Sequence, residues 1–181
     1  LAGIDHEIAP SHLAVVNGLN VTVGPLRQTI GFLSKLEFSQ TTKTWRLKYA
    51  TYFPGAIQAV GGDQSGAAHI TGTTTSTSFP LVNALPYSFN PTVQNTFMAK
   101  LVFNENSSSL SLAYSTILAG ADVSGLVLDS SGAPVVGGSI SASSPLPLVG
   151  PALGPVTGTN ATDGFVAKIV QSPSGAATIA Y

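Results

Sequence analysis

Cysteine is absent from the 181 residues, and charge is scarce: seven Lys and Arg with eight Asp and Glu make up 8% of the chain, where a soluble domain carries about a quarter. Without cysteine there is no disulfide, no thiolate nucleophile and no Cys-based zinc site. A formal charge of −1 with no basic cluster removes the attraction on which nucleic-acid binding depends, and equally that of polybasic segments for anionic membranes. Long apolar runs are missing too. The greasiest stretch, Ser144 to Val156, is cut by Pro145, Pro147, Pro151 and Pro155, so no membrane span is expected. What is present is a 44% hydrophobic content punctuated by 19 Gly and 12 Pro. That is too much apolar residue for charge-driven disorder and too many breakers for long helices.

Internal repeats point to the fold. Phe32-Leu33-Ser34-Lys35-Leu36 recurs as Phe97-Met98-Ala99-Lys100-Leu101 and as Phe165-Val166-Ala167-Lys168-Ile169, at offsets of 65 and 68. Tyr49 to Gly55 recurs as Tyr114 to Gly120, and a third such segment would begin at Tyr181. Asp63-Gln64-Ser65-Gly66 with Gly72 matches Asp129-Ser130-Ser131-Gly132 with Gly138. The expected units are 1–55, a degenerate first copy, then 56–120 and 121–181. Both ends of the chain fall inside repeat motifs, so a piece of a longer array is expected ahead of a protomer that completes its stack with other chains.

Each unit reads as four short strands, in the middle copy about Ala56 to Val60, Ala67 to Thr73, Thr96 to Phe103 and Leu110 to Leu118. Along the third, Phe97, Ala99, Leu101 and Phe103 alternate with Met98, Lys100 and Val102, and both faces are largely apolar. A strand apolar on both sides belongs to a sheet covered on both sides, the situation of a propeller blade between neighbours. In the Asp-x-x-Gly turns, Asp bonds the backbone two residues on and Gly supplies the positive φ that closes a hairpin, so the first two strands should pair antiparallel. The Pro- and Asn-rich connections Ser76 to Gln94 and Ser141 to Asp163 read as variable loops and the likeliest contact surface. In the first copy Gly18 stands 14 residues before Phe32, so its connection reads as short and its turn as lost, with His12 near the place of the turn glycine.

These segments resemble the SBBP repeat of bacterial β-propellers, whose pattern runs Tyr-Ser-Thr-Tyr-Leu-Gly-Gly, Asp-x-x-Gly-Asn-x-Tyr-Val-Thr-Gly, Phe-Pro and Phe-Val-x-Lys-Leu. Tyr49 to Gly55, Asp63 to Thr74, Ser78-Phe79-Pro80 and Phe97 to Leu101 follow it in order, as do Tyr114 to Gly120, Leu126 to Gly138, a weakened Leu146-Pro147 and Phe165 to Ile169. Departures are a shortened segment after Gly55 and Pro134 at the start of a second strand. The resemblance implies a noncatalytic repeat module of secreted or cell-surface bacterial proteins, located outside the cell, with no cofactor and no catalytic residue to carry over. Two and a half units do not close a propeller of typically four to eight blades. An incomplete propeller of two to three blades is therefore expected.

Candidate chemistry is thin. His6 and His12, beside Asp5 and Glu7, have no helical ligand spacing and read as surface or turn residues, and His69 falls where the repeat places a packed strand residue. No Gly-x-Ser-x-Gly elbow or phosphate-binding glycine motif occurs, and Asp63 and Asp129 already serve their turns. A polysaccharide-degrading site would need two carboxylates from different blades to meet in one cleft. Asn20, Asn106 and Asn160 begin glycosylation sequons, a cheap pattern in so Ser/Thr-rich a chain. The residues singled out are repeat positions: Asp63, Gly66, Gly72, Phe97, Lys100, Asp129, Gly132, Gly138, Phe165 and Lys168. A lysine recurring at one repeat position is expected to tie its strand to a neighbour by an ion pair or carbonyl contact, ahead of forming a ring of ammonium groups for a ligand. The expected function is a scaffold or binding surface, for a protein or carbohydrate, in a larger protein; the alternative is a structural subunit that assembles by open blade faces or edges into an oligomer or fibre.

Overall fold

The computed structural model describes residues 2–5, 14–20, 29–87, 89–90, 92–141, 144, 146–147, 149 and 162–181. Its described residues are all-β, with no helix, in three antiparallel sheets. The first contains β1 (Ala2–Asp5), β2 (Ile30–Ser39) and β3 (Thr44–Phe53). The second contains β4 (Ala56–Gly62), β5 (Ala68–Thr74), β6 (Asn95–Asn104) and β7 (Ser109–Leu118), in that spatial order. The third contains β8 (Ala121–Leu128), β9 (Pro134–Ser141), β10 (Thr162–Gln171) and β11 (Ala177–Ile179), again consecutive in space. The four strands expected in the middle copy are β4 to β7. Only Pro54-Gly55 separates the first sheet from the second, and Ala119-Gly120 the second from the third.

The sheets stack face to face with the second in the middle, and the alternation along β6 builds both of its interfaces. Phe97, Ala99 and Leu101 pack with Leu33, Tyr49 and Phe53 of the first sheet, whereas Met98 joins Tyr114 and Leu118 against Val123, Val136 and Ile169 of the third. Period-two strands sort their residues this way of necessity. Neighbouring backbones come closest along the edge formed by β1, β4 and β8. Farther out, connection residues fill the gap: Phe79 contacts Phe53 and Phe97 at ring-centroid distances of 5.7 and 5.3 Å.

Two glycine positions of the repeat have a steric cause. Opposite Gly72 and Gly138, β4 and β8 each carry a bulge, at Ile57/Ala59 and Val123/Gly125. A Cβ would lie 1.8 Å from Ala56 O at Gly72 and 2.0 Å from Asp122 O at Gly138. Backbone therefore occupies the place of a side chain, and only glycine fits. The first copy needs a correction. Gly3, not Gly18, lies opposite Phe32, as Gly72 lies opposite Phe97 and Gly138 opposite Phe165. β1 is thus the second strand of its unit, and the connection to β2 is as long as in the other copies. Gly18, though nearer to Phe32 in sequence, belongs to a different segment described below. His6, Glu7, His12 and Asn160 lie outside the described residues.

Candidate functional site: the lysine ladder and its asparagine clasps

The three repeat lysines occupy one structural position, each opposite a tyrosine at a bulge. Lys35 pairs with Tyr49 and Lys100 with Tyr114, both followed by a register shift. Lys168 accepts from the Ala180 N–H and donates its own N–H to Tyr181 O, at 2.8 and 3.0 Å. Their ammonium groups all find partners. Lys100 Nζ lies 3.1 Å from Asp63 Oδ2, and Lys168 Nζ 2.5 Å from Asp129 Oδ2. Lys35 donates to the carbonyl of Gly66 in the next sheet at 2.9 Å. Lys35 thereby reaches the hairpin turn of the following sheet, whereas Lys100 and Lys168 hold the turns of their own.

The turns that supply these acceptors are built alike. Asp63 Oδ1 accepts from the Ser65 and Ala67 backbone N–H groups, both at 3.0 Å, as Asp129 Oδ1 does from Ser131 and Ala133 at 2.8 and 3.0 Å. Gly66 and Gly132 close them at φ 82° and 80°, in the region other residues enter only with strain. One carboxylate oxygen thus shapes the turn and the other holds the lysine. Burial pushes the Asp63 carboxyl up, but hydrogen bonds from Ser65, Lys100 and His69 outweigh it and hold the group far below the usual carboxylate range. At Asp129 the Lys168 ammonium is the leading cause of a similar depression, and it raises Lys168 in return.

His69 distinguishes the middle unit. It pairs with Lys100, its Nε2 lies 3.2 Å from Asp63 Oδ2, and its Nδ1 and the Tyr114 hydroxyl are buried without a hydrogen-bond partner. Val135 takes its place in the third unit, opposite Lys168. Burial lowers the imidazole pKa and raises that of Tyr114. A histidine beside a carboxylate and a lysine has the makings of a general base. Here, however, it is buried on the face of the second sheet where Tyr114 packs toward the third. Among the described residues, no group of three His, Asp or Glu side chains is arranged to hold a metal.

No family model matches this chain, and no curated protein or solved structure is similar to it. The assignment of roles therefore rests on geometry. Phe97 and Phe165, the aromatic repeat positions, begin the inward row of the third strand; Phe97 is fully buried and Phe165 packs at the edge of the second interface.

Sequence reasoning missed a second device. Val16 exchanges backbone hydrogen bonds with Ala50, and Val82 with Ser115. Next to each sits an asparagine at positive φ, Asn17 at 50° and Asn83 at 47°. Asn17 Nδ2 donates to Lys48 O at 3.0 Å and Asn83 Nδ2 to Ala113 O at 2.8 Å, both carbonyls at the β-bulge beside a repeat tyrosine. Their own carbonyls accept from the following sheet, Asn17 from the Leu110 N–H and Asn83 from the Ala177 N–H. Leu19 and Leu85 then enter the gap between those same sheets. Each segment is a clasp joining one sheet's outer strand to the next. The connection Ser76 to Gln94, read as a variable loop and contact surface, is tied at Val82, Asn83 and Leu85 to β7 and the third sheet. The signal was Val16-Asn17-Gly18-Leu19 against Val82-Asn83-Ala84-Leu85, a repeat whose second copy lies inside a stretch read as variable.

Proposed function

We propose that this chain is a noncatalytic β-propeller-type repeat module, acting as scaffold or binding surface in a secreted or cell-surface bacterial protein. One observation carries the reading: the charged residues that recur with the repeat are spent on joining hairpin to strand and sheet to sheet. Lys35 reaches Gly66 O, Lys100 holds Asp63 and Lys168 holds Asp129. A catalytic or ligand-binding ring of ammonium groups would present them unpaired to a cleft. The close approach of β1, β4 and β8, with side chains wedged between the opposite edges, is the geometry that blades around a central axis require. The extracellular placement rests on the repeat resemblance.

Lys100→Met and Lys168→Met test the reading. Each lowers the thermal midpoint, because an acceptor built for an ammonium is left without it. A hydrolytic activity that either substitution abolishes at unchanged thermal midpoint overturns the reading.

A further inference from the structure

The first clasp carries the one Asn-Gly pair among the 181 residues: Asn17 precedes Gly18, whereas the equivalent Asn83 precedes Ala84. The settings of the two asparagines otherwise match. Both are exposed, both stand at left-handed φ, 50° and 47°, and both donate Nδ2 to a carbonyl beside a repeat tyrosine, Lys48 O and Ala113 O. Packing imposes the glycine of the first clasp. A Cβ at residue 18 would lie 2.7 Å from Val15 Cγ1 and 2.9 Å from Ala50 O, so no side chain fits there without moving the Ala50 backbone. This steric demand has a chemical consequence. A glycine amide is unshielded by a side chain of its own, which makes its nitrogen the backbone nitrogen best able to reach the carboxamide of the preceding residue.

We propose that Asn17 is a self-modification site, at which the first clasp converts to an aspartate or isoaspartate form with water as the only co-reactant. Gly18 N attacks Asn17 Cγ; the new C–N bond closes a cyclic imide, the Cγ–Nδ2 bond breaks, and ammonia leaves with the proton that Gly18 N gives up through water. Water then adds to one of the two imide carbonyls, giving aspartate or, where the main chain now runs through the side-chain carbon, isoaspartate. The Asn17 side chain must leave Lys48 O before it can turn to Gly18 N. The reaction therefore draws on the opened clasp, a local opening of the kind exposed segments undergo, and each conversion fixes the clasp open. A carboxylate has no hydrogen to donate to Lys48 O and sets oxygen against oxygen there. In the isoaspartate form the longer main chain also carries the residue 17 carbonyl away from the Leu110 N–H, to which Asn17 O is bonded at 3.1 Å. One tie between the first and second sheets thus weakens with age, while the Asn83 clasp between the second and third is kept.

Ageing the whole chain in warm, mildly alkaline buffer, followed by peptide mass spectrometry, tests this. The tryptic peptide ending at Arg27 should gain the mass difference between an amide and an acid, with fragmentation placing the change at Asn17 and isoaspartate detected by enzymatic methyl labelling. The peptide from Tyr49 to Lys100, which contains Asn83, should keep its amide at that residue. Asn17→Gly has no carboxamide and suits the positive φ, so it should fold and show no gain in the same peptide. Asn17→Asp, made directly, should lower the thermal midpoint and speed hydrogen exchange at the Leu110 amide, and the aged chain should move toward it. An unchanged mass overturns the proposal, as does conversion at Asn83 as fast as at Asn17, a gain that persists in Asn17→Gly, or an Asn17→Asp chain with the midpoint and Leu110 protection of the parent.

Discussion

Among single residues, the glycines opposite a bulge have the least freedom to change. At Gly72 a methyl group would overlap the Ala56 carbonyl oxygen, so Gly72→Ala is expected to cost about 3 kcal/mol through overpacking against backbone, and Gly138→Ala a similar amount. Gly62, whose Cβ would meet nothing within 4 Å, is the control, and Gly62→Ala should change the denaturation midpoint little. His69 governs response to acid. Because burial lowers its pKa, the folded chain favours the neutral imidazole, and its contribution to stability is complete above the ordinary value of 6.5. It is lost as pH falls below that value towards the folded one. Asp63, depressed from 3.8, adds a second loss that begins near pH 4 and deepens below it. Asp63, Lys100 and Tyr114 surround the ring, and Val135 shows that the position accepts an aliphatic residue. His69→Val should therefore flatten the thermal midpoint between about pH 6.5 and 4 while leaving the steeper fall at lower pH. An unchanged profile in that upper range would show that His69 does not titrate on folding.

Strands, hairpins and clasps form the next scale. The clasp at Asn83 joins Ala113 O of β7 to the Ala177 amide at the start of β11. Asn83→Ala removes the side-chain bond and places a residue with a Cβ but no local hydrogen bond at positive φ, a loss of about 1–2 kcal/mol. Hydrogen exchange should show it first at the Ala177 amide, and Asn83→Gly should recover the backbone share only. These clasps explain what was and was not legible in the chain. Strands β4 to β7 were readable because alternation along Phe97 to Phe103 and the Asp-x-x-Gly turns are local signals. The lysine contacts were readable because one charge recurring in a charge-poor chain points to a shared environment. The clasps were not, since their side-chain partners lie 31 and 30 positions away. The alignment of the first copy failed at Gly18 for the same reason: a glycine belonging to a clasp stood where a strand glycine was sought, and Gly3 became its counterpart only once pairing with Phe32 was seen.

For the molecule as a whole, stability is shared between interfaces rather than held in one core. Met98 is fully buried between the second and third sheets, and Met98→Ala should cost about 2–5 kcal/mol. Trp45 in the first sheet reports from the far end of the stack, so its fluorescence and far-UV circular dichroism should still give coincident transitions. Separate transitions would mean that the sheets fold as independent bodies. The two-residue joints between sheets carry a last consequence. Pro54 has a fixed φ, and Gly55 is so hemmed in that a Cβ would lie 2.7 Å from the Phe97 ring, while Gly120 turns at φ 73°. Joints this short leave no hinge about which one sheet can swing. A partner that bound the described strands would meet sheets already fixed relative to one another, so little ordering entropy would be spent there on association.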